Sequence, residues 1–94
     1  MDTKKLQELR HQIDLVDKSI LESLNQRFQL VQQVAKLKKT SNVPALDETR
    51  WQQVIASKVE IGKSYGFSPE LIISIYEAIH KEALIKENKI INNN

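Results

Sequence analysis

Three arginines stand out in a chain that otherwise uses lysine. Arg10, Arg27 and Arg50 are set against eleven lysines. An arginine presents a rigid planar fork of donors that grips a carboxylate or phosphate through two bonds, whereas a lysine is a mobile point charge. One line at heptad spacing runs Leu6, Ile13, Ile20, Arg27, Val34, and a second runs Arg10, Asp17, Leu24, Val31, Lys38. Arg27 interrupts an apolar seam and Lys38 ends one. Burying a charge without a partner is costly, so a cation at such a position calls for an anion beside it. The pattern fits a small anion held inside a helical bundle. It also fits a structural role. Arg27 would then pair with Asp17 or Glu22 of a partner chain and fix register, Arg10 and Lys38 would reach water from near the helix ends, and Arg50 would be an exposed first-turn residue. The residues alone leave both readings open.

The elements that must position these side chains are helical. Leu6, Leu9, Ile13, Val16, Ile20, Leu24, Phe28, Val31 and Val34 follow at steps of three or four, the period of an amphipathic helix. Neither Gly nor Pro interrupts them before "TSNVP" at 40–44. The spacing predicts a first helix over 3–39. A second, over 47–64, starts at Asp47 as N-cap or first-turn acid and buries Val54, Ile55, Val59 and Ile61. A third, over 69–91, is announced by Ser68 as N-cap and Pro69 at the first helical position. Its predicted buried stripe is Leu71, Ile72, Ile75, Ile79, Ala83 and Leu84, and residues 92–94 are expected to fray. The length predicts one domain over 1–94.

Helix 1 sets a geometric problem. Some 36 residues at 1.5 Å each extend roughly 54 Å, whereas a compact globule of this chain length has a radius of gyration of about 12 Å. The rest of the chain cannot cover so long a stripe. The commonest remedy is a second copy related by a two-fold axis, so the expected assembly is an intertwined helical homodimer. A kinked helix 1 folding back into a monomeric bundle is the alternative, and nothing in residues 10–36 would kink it.

Composition narrows the function classes. There is no cysteine, hence no disulfide framework or thiolate metal site, and His11 and His80 have no partners at metal-ligand spacing. Both read as ordinary surface or half-buried histidines. A net charge of +2 does not argue for nucleic acid, and "KLKK" at 36–39 lacks aromatic interleaving. No apolar run is long enough to span a bilayer. "MDTKKLQELR" has no apolar core of a secretory signal, so the expected compartment is the cytoplasm. No separate regulatory domain is expected within the chain.

Together, "LRHQIDLVDKSILESLNQRFQLVQQVAKLKK", "VPALDETRW" and "IYEAIHKEAL" resemble the AroQ-type chorismate mutase family, the all-α, type II class. The family's first helix carries "LR..ID..D..I..L...R", then "V...K.K", then "D..R" after a proline-containing loop, and all are present here in order. The resemblance implies an intertwined dimer of three-helix chains with two equivalent active sites. It implies an isomerase that converts the dicarboxylate chorismate to prephenate by a Claisen rearrangement, at the branch toward phenylalanine and tyrosine. It implies no cofactor and no metal. Carried over by motif position, Arg10 reaches one substrate carboxylate from the other subunit. Arg27 grips the second carboxylate and Arg50 adds positive charge. Lys38 contacts a carboxylate and the ether oxygen, and Asp47 lies near the ring hydroxyl.

Three positions depart from the family pattern. Many members have an acid after the helix 2 arginine, placed for the ring hydroxyl; here it is Trp51. Many have Ser and then Gln four residues apart in the third helix; here they are Ala83 and Glu87. The Gln donates to the ether oxygen, which an ionised carboxylate cannot do but a protonated one can. Some fungal members also have Glu there. Glu87 is therefore expected to work in its neutral form, unless helix 3 is shifted and Glu87 is merely an exposed surface residue. Trp51 leaves room for isochorismate pyruvate lyase or 4-amino-4-deoxychorismate mutase chemistry, which the resemblance places on the same fold. It could equally be an apolar plug packing helix 2 against the loop. A non-catalytic helical dimer that binds a metabolite is the remaining alternative.

Overall fold

The computed structural model describes residues 2–93. Its helices are α1 (Thr3–Thr40), α2 (Glu48–Ser64) and α3 (Pro69–Ile91), with no strand among the described residues. The fold is all-α, one long helix followed by two shorter ones, as the periodicity predicts. Asn94, part of the expected frayed tail, lies outside the described residues; Asn92 caps α3, donating its backbone N–H to the Asn88 carbonyl.

Local chemistry explains each boundary. Asp2 opens α1 by accepting from Lys5 N–H at 3.0 Å. Asn42 closes it in the left-handed region, at φ 59°, and the Val43 and Asn42 N–H groups donate back to the carbonyls of Lys38 and Lys39. This is a Schellman ending, and asparagine is among the few residues that tolerate it. Asp47 caps α2 by accepting from Arg50 N–H at 3.0 Å. Gly66, at φ 80°, ends α2 in the same way, with Phe67 N–H donating to the Gly62 carbonyl at 2.9 Å. Ser68 Oγ accepts from Leu71 N–H at the start of α3, behind which Pro69 gives up no needed donor.

The chain divides into two compact units, residues 1–30 and 31–94. In the first, no described residue is buried; Ile13, Val16 and Ile20 of the seam are 58, 60 and 53 % exposed, and Leu24, Arg27 and Phe28 are half-buried. In the second, α2 packs on α3 around Ala35, Ala45, Val54, Ile72 and Ala83. Periodicity locates the apolar faces of α2 and α3 but overstates how much of them one chain covers. Ile61, Leu71 and Ile75 remain exposed, while Ile55, Val59, Ile79 and Leu84 are half-buried. Among the described residues no helix is long and apolar enough to cross a membrane.

Gly62 marks a close approach between the two packed helices. A Cβ there would lie 2.7 Å from Ile72 Cγ1 and 3.0 Å from its Cδ1. Gly62→Ala should therefore destabilise the fold by about 1–2 kcal/mol. Overpacking costs about 1–3 kcal/mol, and the better helix propensity of alanine returns at most about 1 kcal/mol of it. The midpoint of denaturant unfolding measures this; an unchanged or raised midpoint would mean that α3 yields freely.

Candidate active site

The α1 ending places Lys38 in the last turn of the helix, and the loop that follows brings Ala45 back beside it. The half-buried Lys38 ammonium lies 3.0 Å from Glu87 Oε1 of α3 and also donates to the Ala45 carbonyl. Glu87 is only 7 % exposed, so the reading of it as a surface residue is overturned. Ala35, one turn before Lys38, and Ala83, one turn before Glu87, are both buried. A carboxylate taken out of water is costly unless a cation and hydrogen bonds compensate it, and Lys38 supplies both to Glu87. Beside Lys38 a cavity of about 300 Å³ is lined by Lys39, Asn42, Val43, Pro44 and Ile91 as well. Lys39 also donates to the Asn93 carbonyl.

At the start of α2, Asp47 and Arg50 meet through the cap: one carboxylate oxygen of Asp47 accepts from the Arg50 backbone N–H. The Arg50 side chain is exposed. Trp51 is half-buried. Its ring stacks on His80 of α3, with centroids 3.9 Å apart and planes inclined by 14°. Arg10 and Arg27 belong to the first unit, where Arg10 is exposed and Arg27 half-buried. Among the described residues neither pairs with an acid of its own chain, Asp17 and Glu22 included.

The structure thus joins Lys38 to Glu87, and Asp47 to Arg50. The Trp51–His80 contact is the feature that sequence reasoning missed. His80, Ala83 and Glu87 fall at i, i+3 and i+7 on one face of α3, and that register was the available signal. Among the described residues no group of three or more His, Cys, Asp or Glu side chains could hold a metal ion.

Among the described residues, three helices without a sheet and a part-buried lysine–glutamate pair define an all-α protein. The profile of the family described as chorismate mutase type II matches residues 9–88, so the chain belongs to the type II chorismate mutase family. It is 32% identical over 84 residues to the "T-protein" of Enterobacter agglomerans, covering 89% of this chain and 22% of that protein. It is 32% identical over 90 residues to the "bifunctional chorismate mutase/prephenate dehydratase" of Aquifex aeolicus, covering 93% of this chain and 25% of that protein. A "4-amino-4-deoxychorismate mutase" of Streptomyces pristinaespiralis is 25% identical over 87 residues, with 93% of this chain and 67% of that protein covered. The chain thus spans a quarter or less of the length of the first two relatives.

Proposed function

We propose that the chain is a chorismate mutase, an isomerase that rearranges chorismate to prephenate, acting in the cytoplasm as an intertwined homodimer with residues 1–94 as one domain. The carrying observation is the part-buried Lys38–Glu87 pair, which lies within the residues that match the family. The exposed seam of α1 supports the second copy, since so much apolar surface on one helix is what an obligate interface covers.

A concerted rearrangement needs no nucleophile. The site must fold the enolpyruvyl arm of chorismate over its ring and stabilise the negative charge that grows on the ether oxygen as the C–O bond breaks. In this reading Arg10 of the other copy holds one carboxylate and Arg27 the other. Arg50 adds positive charge, and Asp47 faces the ring hydroxyl. Lys38 turns from Glu87 and the Ala45 carbonyl to the ether oxygen and a carboxylate. Glu87 then loses its counter-charge while an oxyanion develops beside it. It serves the reaction by taking up a proton and donating it in a hydrogen bond to the ether oxygen.

The test is product identification from chorismate and isochorismate, each at pH 5 and pH 8. Prephenate from chorismate, formed faster at pH 5, is the expected result, because a carboxyl group can donate to the ether oxygen only when it carries a proton. A rate that is flat or falls toward pH 5 in the folded protein contradicts the role of neutral Glu87. Salicylate and pyruvate from isochorismate, with little prephenate, would make the chain a lyase.

The relative that bears the 4-amino-4-deoxychorismate mutase name motivates one second reading, a mutase of the amino analogue. Faster turnover of that analogue than of chorismate would establish it.

A further inference from the structure

The proposed site needs a polar group for the ring substituent of its ligand, and α2 offers little. One oxygen of Asp47 is spent on the helix cap. The residue after Arg50 is Trp51, whose indole has a single donor and no acceptor. A hydroxyl both donates and accepts, so a group with both capacities recognises it best.

α3 supplies one. His80 stands two turns before Glu87 on the same face, about 10 Å along the axis. Its ring lies flat against Trp51 at 3.9 Å, which fixes the imidazole plane as a rotamer alone would not. Among the described residues neither ring nitrogen has a hydrogen-bond partner, and neither is sealed inside the protein. A half-buried imidazole, immobilised through its face and open at its edge, is a preorganised donor and acceptor. Stacking of two flat rings accounts for the face but assigns nothing to the edge.

We infer that His80, held in plane by Trp51, is the specificity-determining residue that reads the ring hydroxyl of the substrate; this rests on the chorismate mutase reading above. Trp51 acts through His80 and is a positioning residue. The pair adds a contact to the ring hydroxyl from the middle of α3 to the one that Asp47 offers at the start of α2.

The test compares kcat/KM for chorismate and for its analogue lacking the ring hydroxyl, in the wild type, His80→Phe and His80→Gln. Phenylalanine keeps a ring to stack on Trp51 and loses both nitrogens; glutamine keeps a donor and an acceptor and loses the stack. Trp51 is the only tryptophan, so its emission reports directly on the stack and on ligand entry. The preference for the hydroxylated substrate should fall about tenfold in His80→Phe, the effect of one lost hydrogen bond, and less in His80→Gln. If His80→Phe does not fold, a His80→Gln preference between the wild-type value and none supports the inference. Equal loss on both substrates, or loss on neither, overturns it. A wild type that converts neither compound, with no change in Trp51 emission, overturns the mutase reading and this one together. Conversion of chorismate with the preference intact in His80→Phe overturns this one alone.

Discussion

Lys38→Met should lower kcat for chorismate by about 10²–10³-fold, the usual consequence of removing one donor from a developing oxyanion. The same substitution should weaken folding, for a separate reason. Glu87 is 7 % exposed and has Lys38 as its cation, at 3.0 Å. Without that ammonium it is a buried charge with no counter-charge, which typically costs about 3–5 kcal/mol. The Lys38 side chain keeps some access to solvent, so the loss here should fall at the lower end of that range. The double variant Lys38→Met/Glu87→Gln separates the two effects. Its neutral amide no longer needs a cation, so the melting midpoint should return toward the wild-type value while kcat stays low. Unfolding curves and steady-state rates on the three proteins measure both. A single variant within threefold of wild-type kcat, or a double variant that regains the rate along with the stability, would mean that Lys38 supports the fold and leaves the ether oxygen alone.

The helices were legible because their signals are local. A run of apolar residues at steps of three or four, free of Gly and Pro, permits no structure but a helix for α1. Asp47, Ser68 and Pro69 carry their capping chemistry in their own side chains. Arg10, Arg27 and Arg50 stood out by type and Lys38 by register. What stayed hidden depends on contacts across the chain. Lys38 and Glu87 are 49 residues apart, and no spacing rule connects them; only family resemblance drew Glu87 into the site, and only the fold shows it buried. Trp51 and His80 meet because α2 folds back on α3, so neither residue type could announce the stack. The exposed Leu71, Ile75 and Ile61 teach a related lesson. Hydrophobic period identifies the face of a helix that seeks cover, and the same pattern arises whether the cover comes from its own chain or from another. Arg27 shares that ambiguity, since its seam position demands an anion without saying whether protein or ligand provides it.

The central claim is that a chorismate-converting site is completed by a second copy of the chain, and subunit mixing tests it most directly. If each site draws Arg10 from one chain and Arg27 from the other, as proposed, the Arg10→Ala and Arg27→Ala homodimers should both be nearly inactive. Co-expressed with different affinity tags in equal amounts, the two chains should form heterodimers as about half of all dimers. In a heterodimer one site draws an intact Arg10 and an intact Arg27, and the other draws both alanines. The mixture should therefore recover about a quarter of wild-type prephenate formation, and heterodimers purified through both tags about half. Activity that stays at the level of the separate variants, in heterodimers shown to be folded and dimeric, would contradict a shared site.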